Sequence, residues 1–194
     1  MIALHNTDCA LRNCIIIGVC LLSAMSGAAS PVRTVDPCVI DGPNMAQTLA
    51  YINAIHRDKD PLEYGPLEYN ASLGTLTRSW QTTMDNGNHS RIFHKSRAAV
   101  LALNCHTEAT DESATLSCLD GSLCFWITSD LWLDGVDQGI GTYNRYEEHG
   151  FSIWVGFDPE KADLMARAFS HLVVLIQQDY KVRHSHLNDP FAKP

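Results

Sequence analysis

The spacing of the cysteines constrains the fold of this chain more than any other feature. Cys118 and Cys124 are separated by five residues that include Asp120-Gly121, and apolar residues flank the pair on both sides. Cys38 and Cys105 complete a set of four cysteines downstream of residue 30. Four cysteines allow three disulfide pairings, and each pairing would tie together different segments of the chain.

Residues 1–29 have the composition of a secretory signal peptide. Arg12 is the only lysine or arginine ahead of the uncharged apolar run at 14–22, and small residues dominate the segment 23–30. A positive charge, a short apolar core and a small-residue exit are typical of a cleaved leader. The sequence therefore predicts a periplasmic or secreted protein. The alternative is an uncleaved anchor, although the apolar run is shorter than the roughly 20 residues that span a bilayer.

Composition predicts a folded protein and disfavours some classes of partner. The chain is 45% hydrophobic and 19% charged, which is typical of a globular domain. Its 14 Lys and Arg against 22 Asp and Glu give a net charge of −8, which argues against nucleic acid and anionic lipid as partners. After the leader, no apolar stretch is long enough for a membrane span. We also find no phosphate-binding or dinucleotide-binding motif, and so we predict no cofactor.

Export would place the four downstream cysteines in an oxidising compartment, where cysteines form disulfides. If residues 120–122 form a three-residue hairpin loop, Cys118 and Cys124 face each other across antiparallel strands, within reach of a disulfide. Cys38 and Cys105 would then form the second disulfide. The crossed pairings remain open at this point.

Two other roles for the cysteines have to be weighed. A zinc site would need closer Cys-x-x-Cys spacing and further ligands, which Cys105 and His106 would have to supply. A thioredoxin-like redox pair also needs Cys-x-x-Cys, at the start of a helix. Because exported thiols tend to oxidise, we favour structural disulfides and predict no metal site.

Hydrophobic periodicity predicts one helix at each end of the domain. Apolar residues recur at helical spacing between residues 43 and 57, and Pro43 suits the first turn. Asp158-Pro159-Glu160 has the pattern of a helix start, and a broad apolar face then continues to about Tyr180. The sequence therefore predicts helices over 43–57 and 159–180.

The segment between the two helices has the pattern of an antiparallel sheet. Short apolar segments alternate with turns between about residues 67 and 157, and Phe151–Phe157 shows the clearest strand alternation. We predict an α+β domain over residues 30–183, followed by a polar tail at 184–194. The sheet should be bent, or form an open barrel, with the C-terminal helix packed on it and the N-terminal helix beside it.

The two helices and the central cysteines carry a resemblance to a known group of proteins. The segments AQTLAYINAIH and DPEKADLMARAFSHLVVLIQQ, with a cysteine pair between them, resemble small exported bacterial proteins of unknown function. In that group a curved antiparallel sheet is closed by a C-terminal helix, in an architecture similar to the pleckstrin-homology domain. The resemblance implies a fold and assigns no functional residue.

A locally basic stretch within the predicted sheet is the candidate binding face. It consists of Arg78, Trp80, Arg91, Lys95 and Arg97. Cations beside an aromatic residue suit an anionic ligand or partner. The plainer interpretation is the solvent-exposed side of a strand.

The sequence favours an exported, disulfide-stapled binding or interaction module over an enzyme, with a protein or small molecule as partner and no catalytic residue assigned. The alternative is a small exported hydrolase in which His94 or His89 acts with a nearby carboxylate, because a general base needs an orienting partner. These two histidines are five residues apart, which places them on opposite faces of a strand. For His171, on the C-terminal helix, we predict a structural role.

Overall fold

The computed structural model describes residues 31–35, 38–57, 65–85, 89–133, 136–139 and 144–185. The predicted signal peptide and all of the predicted tail after Ser185 lie outside the described residues.

The described residues form two α-helices and ten β-strands. The helices are α1 (Met45–Arg57) and α2 (Pro159–Arg183). The strands are β1 (Arg33–Val35), β2 (Glu68–Asn70), β3 (Thr75–Asp85), β4 (His89–Ala99), β5 (Thr107–Ala109), β6 (Ser113–Ser117), β7 (Phe125–Leu133), β8 (Val136–Asp137), β9 (Asn144–Glu148) and β10 (Gly150–Trp154). The strands lie between the two helices apart from β1, so the predicted α+β class is confirmed.

The strands pair antiparallel throughout and form two sheets. The first sheet has the order β1-β5-β6-β10, and the second has the order β2-β3-β4-β7. β8 and β9 share the far edge of β7, one at each end. Together the sheets curl into a half-barrel that is packed by α2, as the sequence predicts.

The two sheets meet at a corner where two strand pairs continue into each other. Ser117 of β6 pairs with Gly150 of β10, and Phe125 of β7 pairs with Glu148 of β9. Only His149 separates β9 from β10, so the chain bends sharply there. A Cβ on Gly150 would lie 2.4 Å from the carbonyl oxygen of Leu116, which explains why this bend needs a glycine.

The hydrophobic core fills the space between the half-barrel and α2. Met165, Phe169 and Leu172 of α2 are fully buried. Phe151 links the sheet to the helix, because its ring contacts Phe125 and Phe169 edge to face at centroid distances of 5.2 and 5.7 Å. This packing fixes the position of α2 and therefore of the surface that α2 presents to α1.

The ends of the helices are set by side-chain caps. Asp158 accepts a hydrogen bond of 2.9 Å from the backbone N–H of Lys161, as its place before Pro159 predicts. At α1 the predicted start at Pro43 is wrong, because Asn44 is the cap. The side chains of Asn44 and Gln47 each accept a 3.0 Å hydrogen bond from the other's backbone N–H. Pro43 therefore precedes the helix.

Candidate functional site

Two disulfides join the four cysteines, Cys38 to Cys105 and Cys118 to Cys124. Their Cα atoms are 5.4 and 5.7 Å apart, which is within the normal range for a disulfide. The crossed pairings left open by the sequence are therefore excluded.

The hairpin proposed for Cys118 and Cys124 is wrong. β6 pairs with β5 and β10, whereas β7 pairs with β4, β8 and β9, so the two strands beside this disulfide do not pair with each other. Residues 119–123 are instead looped out at the corner between the sheets. The backbone N–H of Cys118 donates to the carbonyl of His149, and that of Cys124 to the carbonyl of Glu148. The disulfide therefore closes residues 119–123 as an insertion that lies opposite His149, the residue between β9 and β10.

Asp120 and Gly121 explain why the sequence of this loop suggests a hairpin. Both have positive φ, 53° for Asp120 and 66° for Gly121. Asp-Gly is typical of tight turns for this reason, but a turn does not need paired strands on its two sides. Asp-Gly therefore predicts the turn correctly, but it does not predict that β6 and β7 are unpaired on either side of it.

The Cys38–Cys105 disulfide holds the segment that leads into α1. We call residues 38–44 the strap. Both cysteines are half-buried, and Nε2 of the exposed His106 lies 3.8 Å from Cys38 Sγ. The two sulfurs and this nitrogen all lie within 4.8 Å of one another. Because the sulfurs are bonded to each other, this cluster offers no thiolate ligand to a metal.

The structure divides the predicted basic face between two sides of the sheet. Opposite residues of antiparallel strands share a face, and Arg78 and Trp80 lie opposite Ser96 and His94 on the inner, concave side. Arg91, Lys95 and Arg97 alternate with these inner residues of β4 and lie on the outer side. The five residues therefore do not form one surface.

The outer cations lie beside a wide polar cavity. Lys95 and Arg97 line it together with residues 66–73 and α1, and its volume is about 790 Å³. Asn53 of α1 accepts a hydrogen bond from the backbone N–H of Leu67 and donates one to its carbonyl. These two hydrogen bonds join α1 to the segment before β2, so the Asn53 side chain is already paired inside the cavity.

On the inner side, Arg78 lies between two aromatic rings. Its guanidinium carbon is 5.0 Å from the ring centroid of Trp80 and 4.9 Å from that of Phe151, both within cation–π range. The positive charge also acts on His56, which is buried at the end of α1. Burial, with Arg78 as the second cause, lowers the pKa of His56 to about 4.

Within the residues that the structure describes, His94 does not make the His/carboxylate pair that the hydrolase alternative requires. Its ring stacks on Trp80, and its Nε2 and Nδ1 lie 2.9 and 2.8 Å from the hydroxyls of Thr82 and Ser129. Burial lowers the pKa of His94. Ser129 is fully buried, so a substrate carbonyl could not reach it. The side chain of His89 lies outside the described part of the chain.

An apolar groove lies where the strap crosses the two helices. Its volume is about 440 Å³, within the range of sites for small molecules. The lining residues are Val39, Asp41 and Pro43 of the strap, Thr48 and Tyr51 of α1, and Leu164, Arg167, Ala168 and His171 of α2. The groove thus draws on three segments that are far apart in the sequence.

His171 fastens the strap to α2. Its Nδ1 lies 2.9 Å from the carbonyl oxygen of Val39, and its Nε2 lies 2.7 Å from that of Pro43. A neutral imidazole has one N–H and can donate to one of these carbonyls, whereas an imidazolium can donate to both. Gly42 lets the strap approach this closely, since a Cβ there would lie 3.2 Å from the ring. The predicted structural role of His171 is therefore found in this contact.

The groove carries one charge of each sign. Arg167 and Asp41 are exposed, and among the described residues neither makes a hydrogen bond or an ion pair. Tyr51 contributes a partly exposed aromatic ring, and burial raises the pKa of its hydroxyl. An apolar surface that carries a guanidinium and a carboxylate, neither of them paired within the described part of the chain, can bind a ligand that has an apolar body and two charged ends.

The sequence contains one sign of this groove, on α2. Leu164, Arg167, Ala168 and His171 follow the spacing i, i+3, i+4, i+7 on one side of α2. The sequence pattern counts Ala168 in the apolar face and places His171 near its edge, and it gives Leu164 and Arg167 no role. The groove exists only because the strap lies across α1 and α2. The strap has no periodicity in its sequence that would predict this position.

The described helices include none that is both long enough and apolar enough to cross a membrane. Comparison with protein-family models, with curated proteins and with solved structures finds no match. The resemblance to exported proteins of pleckstrin-homology-like architecture therefore stays a prediction. What the chain binds has to be inferred from the chemistry of its own surfaces.

Proposed function

We propose that this protein is an exported, disulfide-stapled binding module that takes a short apolar peptide with free termini in the groove between the strap, α1 and α2. The observation that carries the proposal is a pair of charges, Arg167 and Asp41, that have no partner among the described residues and lie in an otherwise largely apolar groove. The carboxylate of a peptide matches the guanidinium, and its ammonium group matches Asp41.

The size and shape of the groove favour a ligand of this kind. A volume of about 440 Å³ suits a small molecule and is too small for a folded domain. Apolar side chains of the ligand would lie against Leu164, Ala168 and Val39, where burial of apolar area contributes about 25 cal/mol per Å². A ligand without charged ends would leave both Arg167 and Asp41 without a partner.

The walls of the groove are held in place before any ligand binds. The Cys38–Cys105 disulfide and His171 fix the strap, and α2 is fixed by its buried face. A preformed site loses less conformational entropy on binding than a mobile one. Two disulfides also support export, because such bonds persist in oxidising compartments.

The experiment is isothermal titration of the full chain with the dipeptide Leu-Leu, its C-terminal amide and its N-acetyl derivative. We expect one binding site, and each capped derivative should bind about tenfold more weakly than Leu-Leu, as expected when one charge-assisted hydrogen bond is lost. Arg167→Gln should weaken Leu-Leu about tenfold and leave the amide unchanged. Asp41→Asn should act in the same way on Leu-Leu and leave the N-acetyl derivative unchanged.

Two further variants separate the groove from general charge effects. Lys181→Gln removes a cation from the exposed C-terminal end of α2 and should not change the affinity. Ala168→Phe should fill the groove and abolish binding without changing any charge, and circular dichroism reports whether the variant folds. Equal affinity for Leu-Leu and both derivatives, or no binding of any of them, would overturn the proposal.

A further inference from the structure

We propose that the Cys38–Cys105 disulfide is a site of thiol–disulfide exchange with an external dithiol, whereas Cys118–Cys124 is a permanent crosslink. Three observations distinguish the first bond. Both of its cysteines are half-buried rather than buried, a histidine lies beside one sulfur, and the bond holds a strap rather than a strand. This inference does not depend on the identity of the groove ligand.

The position of His106 determines which sulfur would leave. Its Nε2 lies 3.8 Å from Cys38 Sγ, and the backbone N–H of His106 is held by the side chain of Asn104 at 3.0 Å. A neighbouring imidazolium stabilises a thiolate, and a stabilised thiolate leaves more readily in exchange. Cys38 is therefore the leaving sulfur, and Cys105 is the sulfur that is attacked.

The second disulfide joins a half-buried cysteine, Cys124, to a buried one, Cys118. Cys118 is 2% exposed, belongs to the hydrophobic core, and has its sulfur 3.6 Å from the carbonyl oxygen of Glu148. A thiolate at this position would face low polarity and the negative end of a carbonyl dipole. Burial blocks attack on Cys118, and attack on the half-buried Cys124 would expel Cys118 as a poorly stabilised thiolate, so exchange is disfavoured there.

The exchange can be written in full with a dithiol as reductant. One thiolate of the dithiol attacks Cys105 Sγ, the S–S bond to Cys38 breaks, and Cys38 leaves and takes a proton from His106. The second thiol of the dithiol then attacks the first sulfur of the dithiol, which is bonded to Cys105 in the mixed disulfide. This step releases Cys105 as a thiol and closes the dithiol into a disulfide. Two electrons pass to the protein, and His106 regains its proton from water.

Reduction would remove the covalent hold on the strap and leave the contacts of His171 in place. The strap should then open more often while α2 stays packed, because the buried face of α2 does not depend on this bond. An effect on ligand affinity follows only if the proposed function is correct. The test below therefore measures exchange and strap opening, and neither of these needs a ligand.

The experiment is reduction by dithiothreitol of the full chain carrying Cys9→Ser, Cys14→Ser and Cys20→Ser. Alkylation at intervals followed by peptide mass analysis gives a rate for each disulfide. We expect Cys38–Cys105 to be reduced at least about tenfold faster than Cys118–Cys124. Hydrogen exchange of the singly reduced protein should then show faster exchange in residues 38–44 and unchanged exchange in α2.

Two variants test the role of His106. His106→Asn removes the cation and should slow reduction of Cys38–Cys105 several-fold, whereas His106→Arg restores a cation and should recover most of the rate. A side chain needed only for local packing would not show this rescue by charge. Equal rates for the two disulfides, or equal rates in the asparagine and arginine variants, would overturn the proposal.

Discussion

The two disulfides show how differently one type of bond can serve a fold. Cys118–Cys124 closes a loop of five residues at the corner between the sheets, where one of its cysteines is in the core. Cys38–Cys105 spans 67 positions of sequence and ties a surface strap to the segment before β5. The short bond closes a local loop, and the long bond restricts a segment about eleven times longer in the unfolded chain. Loop length in the sequence therefore predicts that the long bond stabilises the fold more.

The largest expected effect comes from removing the long bond. Cys38→Ala with Cys105→Ala should lower the free energy of unfolding by about 4 kcal/mol, because a loop of this length releases the most entropy in the unfolded chain. Urea denaturation measures this value. A loss below about 1 kcal/mol would mean that the unfolded chain is already restricted between these segments, and the contrast between the bonds would fail.

Removing the short bond should cost about half as much. Cys118→Ala with Cys124→Ala opens a loop that spans only six positions, for which the same relation gives about 2 kcal/mol. The same urea titration applies, and the circular dichroism of the folded variant should stay unchanged. A cost equal to or above that of the long bond would show that the corner depends on the disulfide for its native geometry rather than for entropy.

A smaller effect is expected from pH, and it should be the same in both disulfide variants. The pKa of His56 falls from 6.5 to about 4 on folding, so between these values the unfolded chain binds more protons than the folded chain. Linkage for a shift of this size gives at most about 3 kcal/mol. Because solvent partly screens this site, we expect a loss of stability of about 1 to 2 kcal/mol as the pH falls from about 6.5 to 4. Urea titrations across this range measure the loss.

His56→Gln is the control for the pH prediction, since its side chain does not titrate and the loss in this range should shrink. A disulfide variant with a different pH slope would show that the bond also acts on the folded state around His56. In that case the two bonds could not be compared through loop length alone.

Sequence patterns predicted well those elements whose stability is local. The start of α2 followed from Asp158-Pro159, because a cap and a first-turn proline act within a few residues. The alternation Phe151–Phe157 predicted β10, because one face of that strand is buried. The end of the predicted strand was wrong, since β10 stops at Trp154 and Phe157 is exposed. α2 continues to Arg183, three residues beyond the predicted end at Tyr180, because polar residues can continue a helix whose apolar face has ended.

Long-range pairing could not be predicted in this way. The five residues between Cys118 and Cys124 fit a hairpin and a looped-out corner equally well, and the choice depends on β9 and β10, which come later in the chain. The prediction that the basic residues form one face was wrong for a related reason. Alternation within a strand is visible in sequence, but the relation of one strand's face to its neighbour's depends on register.

The sequence by itself determined the class of the fold, the helix at each end and the presence of four cysteines suited to disulfides, because these depend on local periodicity and composition. Tertiary structure alone decided which strands pair, what the short disulfide closes and where the groove lies. The groove in particular needs His171 and the carbonyls of Val39 and Pro43 to meet across about 130 residues of chain. Such contacts result from packing, and no single segment encodes them.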